Sequence, residues 1–251
     1  MAKALQILRF DSIDSTNLEA MRQAKAGAPE GLCIVAREQT RGRGRLDRNW
    51  HSPKDAGVYL TIVLRPQFEL ARWPLISLAA ALAVHEAIRK TCDVNADIKW
   101  PNDICVDDRK LCGILAETVE TENGTAAIVG IGINLNDESF PPELELLATS
   151  LQAVTGNEVD RDLLTDSLLD AFGEQYEILQ SGDGESTIRE WCQHSSYGFG
   201  RQVRVSLAAE NFTGVTRGLE SDGALRVETA GGKIRAVRAG DVTALRAYRG
   251  D

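Results

Sequence analysis

Glycine and arginine alternate in one segment of the chain, a pattern suited to binding an anion. The segment reads Gln39-Thr40-Arg41-Gly42-Arg43-Gly44-Arg45-Leu46-Asp47-Arg48-Asn49-Trp50. Glycine lets a backbone approach a bound group closely, and guanidinium groups bind phosphate or carboxylate oxygens in pairs. A solvated arginine run and a nucleic-acid-binding tail have the same composition. The location between two predicted strands, with a tryptophan at the end, favours a ligand-binding loop.

A second group of residues places two lysines on either side of a predicted turn. Lys99-Trp100-Pro101-Asn102-Asp103 is followed by Lys110-Leu111-Cys112-Gly113. If these segments are neighbouring strands, the ammonium groups of Lys99 and Lys110 face one pocket. A fixed lysine there neutralises the charge that develops when a carboxylate attacks a phosphoryl group. Taken alone, a β-hairpin with exposed lysines is the simpler interpretation.

The common nucleotide-binding and metal-binding motifs are missing from the sequence. Gly130-Ile131-Gly132-Ile133-Asn134 is followed by leucine where a dinucleotide-binding motif has its third glycine. Gly232-Lys233 is followed by isoleucine where a P-loop has serine or threonine. The histidines lack metal-ligand spacing and the cysteines form no Cys-x-x-Cys pair, so no metal site is predicted.

Composition and charge narrow the class of protein. The 251 residues carry a formal net charge of −9, which argues against a surface that binds nucleic acid throughout. Residues 201–251 hold nine basic and six acidic side chains, whereas residues 141–190 hold two basic and twelve acidic ones. Five scattered cysteines indicate reduced thiols, and neither a signal peptide nor a long apolar stretch is found. The sequence therefore predicts a cytoplasmic protein without a membrane partner.

Hydrophobic periodicity and turn residues predict an α+β fold in two parts. Strands and helices mix over residues 1–197, with hairpin turns rather than strict β-α-β alternation. Here we expect a helix that starts with a capping box of Thr16 and Glu19, and helical structure from residue 141 to about 194. Residues 198–251 contain short alternating segments separated by glycine turns, which predicts a small antiparallel barrel.

Together these motifs resemble those of biotin protein ligases. The matching residues are Asp14-Ser15-Thr16-Asn17, Gln39, Gly42-Arg43-Gly44-Arg45, Trp50, Lys99-Trp100-Pro101-Asn102-Asp103, Lys110-Leu111, Gly113, Gly130, Gly132 and Asn134. Each motif alone is weak, but their common order along nearly the whole chain is specific. The resemblance implies a catalytic domain like that of class II synthetases, with a mixed or antiparallel sheet, and a C-terminal SH3-like barrel.

The resemblance also implies a reaction in two steps. The carboxylate of biotin attacks the α-phosphorus of ATP, giving biotinyl-5′-AMP and pyrophosphate. A lysine of a biotin carboxyl carrier protein then attacks this mixed anhydride and releases AMP. Biotin and ATP are the implied ligands, and Mg²⁺ is expected on the ATP phosphates rather than in a protein cage. No side chain needs to act as a covalent nucleophile, so positioning and electrostatics are expected to dominate catalysis.

The resemblance assigns expected roles to individual residues. Lys110, Arg43 and Arg45 are the expected catalytic side chains. Expected biotin contacts are Ser15, Thr16, Asn17, Gln39, Gly42, Arg43, Gly44, Arg45, Lys110 and Gly113. Expected ATP contacts are Arg43, Arg45, Trp50, Lys99, Asn102, Asp103, Lys110 and Asn134, with Trp50 on the adenine face and Asn134 at the adenine edge. Asp103 is expected to position either Lys110 or Mg²⁺.

Two other functions stay open from the sequence. Lipoate–protein ligases and octanoyltransferases resemble the same catalytic fold, and a non-catalytic RNA-binding protein can also use an arginine loop and a basic barrel. Some biotin ligases carry an N-terminal DNA-binding domain; here the Ser15-Thr16 motif lies close to the start, so a monofunctional ligase without DNA binding is expected. A homodimer is compatible with the resemblance. Asp47 departs from the glycine or basic residue common in relatives.

Overall fold

The computed structural model describes residues 6–137 and 140–245. In chain order its elements are β1 Gln6–Phe10, α1 Thr16–Lys25, β2 Leu32–Ala36, β3 Gly57–Leu64, α2 Leu75–Cys92, β4 Asp97–Lys99, β5 Asp103–Val106, β6 Arg109–Thr121, β7 Gly124–Asn134, α3 Leu151–Thr155, α4 Arg161–Gln180, α5 Gly184–Gln193, β8 Phe199–Ser206, β9 Asn211–Leu219, β10 Leu225–Glu228, β11 Ile234–Val237 and β12 Asp241–Ala244. The outer ends of the two predicted parts, residues 1–5 and 246–251, lie outside the described residues.

A seven-stranded mixed sheet forms the larger part of the protein. Its strand order is β1-β2-β3-β7-β6-β5-β4, with β1 and β2 parallel and the other pairs antiparallel. The β6–β7 hairpin continues the sheet at its centre, in a register that places Gly113 opposite Gly132. Helix α1 connects the parallel pair β1 and β2. The predicted mixed α+β fold is therefore confirmed.

The sheet is covered by helices on both faces. On one face, α1 packs through Ala20 and Ala24 against the buried strand residues Ile34, Val63 and Ile128. The long helix α2 lies against the other face and is itself covered by α4 and α5. Alternating strand residues point to opposite faces, so the odd-numbered side chains of β6 from Gly113 to Val119 share the α1 face.

The C-terminal strands form a separate, smaller sheet. Its order is β11-β10-β9-β8-β12, and each neighbouring pair is antiparallel. The expected small antiparallel β unit at the C-terminus is confirmed. It contacts the larger part at Trp100, whose indole Nε1 donates a hydrogen bond of 3.1 Å to the carbonyl of Gly223. Trp100 is 3% exposed, so its side chain is buried where the larger part meets the smaller sheet.

Two local predictions are wrong. The capping box fails because Ser15, rather than Thr16, is the N-cap of α1. The Thr16 hydroxyl instead donates to Gln39 Oε1 at 3.0 Å, a tertiary partner that replaces the local one. The helical structure expected from residue 141 begins only at Leu151. Residues 141–150 form turns and a parallel bridge between Lys110 and Ala148, and this tertiary contact with β6 replaces local helix formation.

Buried His85 on α2 makes the stability of the fold dependent on pH. Its Nδ1 lies 2.9 Å from the carbonyl oxygen of Ala96, whereas Nε2 is buried without a hydrogen-bond partner among the described residues. Burial, reinforced by nearby His194, lowers the pKa of His85. The unfolded chain therefore takes up this proton at a higher pH than the folded protein does, and the free energy of unfolding should fall as the pH drops through this range.

Urea unfolding at about pH 7.5 and about pH 5.5 tests this prediction, because carboxylate titration contributes mainly at lower pH. The loss of unfolding free energy between these two values should be smaller in His85→Gln than in the wild type. An equal loss in both proteins contradicts the assignment to His85.

Within residues 6–137 and 140–245, no helix combines the length and the hydropathy that a membrane span requires.

Candidate active site

A cavity of about 610 Å³ lies on the α1 face of the large sheet and brings the predicted site residues together. It is lined by the start of α1, by the loop from Gln39 to Trp50 (the arginine loop), by the glycines of β6 and β7, and by strand β12. The predicted residues that border it are Ser15, Thr16, Asn17, Gln39, Arg43, Gly44, Arg45, Trp50, Lys99, Asn102, Asp103, Lys110, Gly113 and Asn134. Gly42 does not border it; a Cβ there would lie 2.3 Å from the carbonyl oxygen of Trp50.

The lining of this cavity is positive in a chain that is acidic overall. Its basic side chains are Arg43, Arg45, Arg48, Lys99 and Lys110, and its carboxylates are Asp103 and Asp241. Five cations against two anions give a local excess of three positive charges, whereas the whole chain carries −9. A concave site with such an excess concentrates anionic ligands.

Lys110 is held inside the cavity by a carboxylate from the neighbouring strand. Its Nζ lies 2.6 Å from Asp103 Oδ1, and the two side chains are 33% and 21% exposed. The β5–β6 pairing places Asp103 opposite Gly113, with a register shift between Lys110 and Cys112. The ammonium group also lies 5.3 Å from the centroid of the Trp50 ring. Lys110 is therefore a positioned cation at the wall of the cavity.

The start of α1 contributes a polar end to the cavity. The Thr16 backbone N–H and hydroxyl both donate to Gln39 Oε1, at 2.9 and 3.0 Å, and Gln39 Nε2 donates to the Ser52 hydroxyl at 2.9 Å. Ser15 is 1% exposed, and its side chain makes no capping bond to the helix. This arrangement fixes the orientation of the Gln39 amide. It can present donors and acceptors to a polar ligand group such as an amide or urea.

Asn17 lines the cavity but is already engaged by protein atoms. Its Nδ2 donates to the carbonyl of Leu115 at 3.2 Å and to Glu117 Oε2 at 2.9 Å. Its Oδ1 accepts a hydrogen bond of 2.8 Å from the buried hydroxyl of Thr61. Gly130 provides the room, because a Cβ at that position would lie 2.0 Å from Asn17 Oδ1. The structure thus gives Asn17 a supporting role within the pocket wall.

The indole of Trp50 lies directly on the glycine floor of the cavity. A Cβ at Gly132 would lie 2.5 Å from Trp50 Nε1, and one at Gly113 would lie 3.1 Å from Trp50 Cζ3. The same Nε1 is buried and has no hydrogen-bond partner among the described residues. Glycine at both positions therefore lets a flat ring approach the sheet. The predicted contact of Trp50 with adenine stays a prediction.

Three arginines hold the arginine loop over the cavity, and each of them contacts a different residue outside the loop. Arg43 donates to both oxygens of Glu117, Arg45 donates to Asn102 Oδ1 at 2.9 Å, and Arg48 pairs with Asp241. Burial lowers the pKa of Arg45, whereas the hydrogen bond to Asp241 raises that of Arg48. Arg45 remains cationic at neutral pH because its ordinary pKa is so high. Among the described residues Arg45 forms no salt bridge, and Asp241 and Asp103 act on it from a distance, so it is suited to an anionic ligand.

Two further predicted ATP contacts take different positions in the cavity wall. The Asn134 amide donates to the carbonyl of Thr149 at 3.0 Å and so ties the end of β7 to residues 147–150. Lys99 borders the cavity, with its Nζ 5.9 Å from the centroid of the Tyr197 ring. Both lysines of the predicted pair, Lys99 and Lys110, therefore border the cavity, and the orientation of the Lys99 ammonium group toward a ligand stays a prediction.

Five residues that contribute to the site were not predicted from the sequence. Glu117 receives Arg43, Asp241 enters from the C-terminal sheet, and Phe140, Leu144 and Leu147 give the cavity an apolar wall. Leu147 is 65% exposed, although it is large and apolar. The available signal in the sequence was the group of leucines that follows Pro141-Pro142. Glu117 and Asp241 carried no such signal, because each lies in an ordinary alternating strand.

Neither a thiol nucleophile nor a protein metal cage is built into this cavity. Burial raises the pKa of Cys105 to about 12 and also raises that of Cys112, so both thiols stay protonated at neutral pH. Among the described residues, no group of three or more His, Cys, Asp or Glu side chains is arranged to hold a metal ion. The two carboxylates of the lining are paired with Lys110 and Arg48.

Known proteins match the chain over both of its sheets. The Biotin/lipoate A/B protein ligase family matches residues 9–134, and the Biotin protein ligase C terminal domain matches residues 198–243. The bifunctional ligase/repressor BirA of Bacillus subtilis (strain 168) is 35% identical over 239 residues, which cover 94% of this chain and 73% of the relative. The biotin–[acetyl-CoA-carboxylase] ligase of Mycobacterium tuberculosis is 32% identical over 238 residues, or 92% and 86%.

The solved structures give a similar result. The biotin protein ligase from Aquifex aeolicus, in complex with biotin and ATP, superposes with a TM-score of 0.83 at 29% identity and covers 96% of this chain and 99% of that one.

Proposed function

Because the chain belongs to the Biotin/lipoate A/B protein ligase family, we infer that it activates biotin with ATP and transfers it to a biotin carboxyl carrier protein, the acceptor subunit of acetyl-CoA carboxylase. The observation that carries this inference is the positive cavity, which brings together the ligase motifs spread between Ser15 and Asn134. The fold neighbour that holds biotin and ATP shares this arrangement of sheets.

In the first step the biotin carboxylate forms a bond to the α-phosphorus of ATP. The bond from that phosphorus to the β-phosphate oxygen breaks, and pyrophosphate leaves with the electron pair. Negative charge accumulates on the phosphoryl oxygens, where Lys110 and Arg45 act as fixed cations. Asp103 fixes the Lys110 ammonium through its 2.6 Å contact. Ser15, Thr16 and Gln39 form the polar end that suits the ureido ring of biotin.

In the second step the amine of the carrier lysine attacks the acyl carbon of biotinyl-5′-AMP. An amide bond forms, the acyl–phosphate bond breaks, and AMP leaves. The mixed anhydride must be kept from water until the carrier arrives. The arginine loop supplies this protection, because its contacts to Glu117, Asn102 and Asp241 hold it over the cavity.

Mg²⁺ supports the first step by offsetting the charge of the ATP phosphates. Both carboxylates of the lining are engaged by cations, which supports a metal ion carried on the nucleotide rather than held by the chain. Asp103 is accordingly proposed to position Lys110.

The alternative of RNA binding finds no support in the loop geometry. Its arginines contact Glu117, Asn102 and Asp241 at the cavity instead of forming an open basic surface. Lipoate as the substrate is the other alternative. The Mycobacterium tuberculosis relative is named a biotin–[acetyl-CoA-carboxylase] ligase, and the Aquifex aeolicus structure holds biotin and ATP, which supports biotin for this chain.

Pyrophosphate release separates these possibilities. We expect release that depends on biotin and ATP together, and none when lipoate or octanoate replaces biotin. Release with lipoate would overturn the substrate assignment. Salt-sensitive oligonucleotide binding without any release would support the RNA-binding alternative.

Several finer features belong to the same proposal. The division into a catalytic domain, residues 1–197, and a barrel domain, residues 198–251, is supported by the two sheets and by the family match that begins at 198.

A cytoplasmic location is supported by all five cysteines being free thiols. A homodimer and a lack of DNA binding are both testable, by sedimentation and by gel shift with duplex DNA.

A further inference from the structure

Glu117 is an acidic residue at the rim of the active site that none of the sequence motifs includes. It lies on β6, on the α1 face of the sheet, opposite Ile128 of β7. Its two carboxylate oxygens accept hydrogen bonds of 2.9 and 3.1 Å from the two terminal nitrogens of Arg43. The side chains of Arg43 and Glu117 are 35% and 21% exposed. A bidentate pair of this kind is stronger and more directional than an ordinary surface pair.

A side chain of the pocket wall also holds the Glu117 carboxylate in place. Glu117 Oε2 also accepts a hydrogen bond of 2.9 Å from Asn17 Nδ2. Asn17 in turn is fixed by Thr61, whose hydroxyl lies 2.8 Å from both Asn17 Oδ1 and Thr16 Oγ1. Glu117 is therefore held in one orientation by the polar end of the cavity, and Arg43 docks onto a preset acceptor.

The Arg43–Glu117 pair stands between two cavities. Arg43 lines the active-site cavity, whereas Glu117 lines a neighbouring cavity of about 700 Å³. Arg45 and Asn102, which are joined by a hydrogen bond of 2.9 Å, line both. The second cavity lies toward the start of α2 and the β9–β10 turn. Trp100, Pro101 and Ile114 line both cavities as well, so the partition consists of the arginine loop, the turn after β4 and part of β6.

We propose that Glu117 is a positioning residue that fastens the arginine loop through Arg43 and so closes the side exit of the active site while biotinyl-5′-AMP is bound. This inference rests on the proposed function for the identity of the bound intermediate. Glu117 touches no substrate; it acts through Arg43. Breaking the pair loosens the arginine loop at the boundary between the two cavities and so gives the intermediate a path to solvent.

Dissociation of biotinyl-5′-AMP, added as the purified compound, tests this role without requiring any chemistry. Glu117→Gln preserves the size of the side chain and an acceptor for Asn17 but removes the charge. The dissociation rate should rise by about fivefold to tenfold, the range expected for losing a bidentate charged pair at a partly exposed site. In turnover, more pyrophosphate should be released for each carrier biotinylated, because free intermediate escapes and hydrolyses.

Two controls distinguish fastening from a general structural effect. Glu120→Gln removes one negative charge from the same strand. Glu120 is exposed and accepts a hydrogen bond from the Thr125 hydroxyl, so the intermediate should dissociate from this variant at the wild-type rate. Arg43→Gln removes the other half of the pair, so it tests the contact even if the Glu117 variant folds poorly. The double variant should lose the intermediate no faster than either single variant, because one contact is broken in all three.

The dependence of the dissociation rate on ionic strength distinguishes the charged Arg43–Glu117 contact from a merely structural role of Glu117. Screening weakens the pair in the wild type, so the dissociation rate should rise with ionic strength there and rise less in Glu117→Gln. A wild-type dissociation rate in both single variants, or independent effects that multiply in the double variant, overturns the proposal. If the wild type fails to bind biotinyl-5′-AMP at all, the proposed function fails, and the fastening role of Glu117 fails with it.

Discussion

Lys110→Ala should lower the rate of biotinyl-5′-AMP formation by about 10²–10³-fold, the loss typical of removing one positioned group that stabilises transition-state charge. The Lys110 ammonium lies in the cavity lining and is held at 2.6 Å by Asp103. Attack of a carboxylate on a phosphoryl group brings two negatively charged groups together, and this cation offsets that charge. Single-turnover pyrophosphate release with saturating biotin and ATP measures the effect on chemistry.

A matched control is available for this substitution. Lys54 is exposed and pairs with Asp11 away from the cavity lining, so Lys54→Ala should release pyrophosphate at the wild-type rate. Lys110 is one-third exposed, and its loss should leave the thermal unfolding midpoint nearly unchanged. Pyrophosphate release close to the wild-type rate in Lys110→Ala would remove this lysine from the mechanism.

Gly130→Ala is expected to damage the polar end of the site and to destabilise the fold by about 1–3 kcal/mol, as over-packing of a buried position does. The new methyl group would lie 2.0 Å from Asn17 Oδ1. Asn17 cannot move away cheaply, because it is 4% exposed and bonded to Leu115, Glu117 and Thr61. Biotin affinity should fall together with stability, since Asn17 directly adjoins Thr16.

Gly173→Ala provides the comparison. Gly173 lies within α4, and a Cβ at that position meets nothing within 4 Å. Alanine there should stabilise the protein by up to about 1 kcal/mol through helix propensity, with no change in biotin affinity. Denaturant unfolding and biotin titration of both variants measure the contrast. If Gly130→Ala is as stable as the wild type and binds biotin normally, the close packing of Asn17 against β7 is not required.

Local pattern explains which parts of the fold were predictable. The apolar run that becomes α2 ends at Cys92 followed by a left-handed Asp93, and the strands of both sheets follow alternation and turn residues. These features depend on neighbours in the sequence. The motifs around Arg45 and Lys110 were predictable for a different reason: their residue types and spacing resemble a known family, and the structure brings them to one cavity.

Long-range contacts explain what the sequence did not reveal. Arg43 and Glu117 are separated by 74 residues, and Arg48 and Asp241 by 193. No local pattern distinguishes such a carboxylate from any other strand residue. The non-helical segment at 141–150 was missed for the same reason, because its bridge to Lys110 forms only when β6 is in place. Which acceptor each loop arginine contacts could therefore be seen only in the folded structure.

The central claim is that this chain joins biotin to a carrier lysine by way of an adenylate formed in the positive cavity. Mass spectrometry of a biotin carboxyl carrier domain, incubated with the protein, ATP and biotin, tests it most directly. We predict one added biotinyl group on one lysine, dependent on ATP and absent when lipoate replaces biotin. A carrier that stays unmodified with biotin and ATP, or one that gains lipoate instead, would contradict the account.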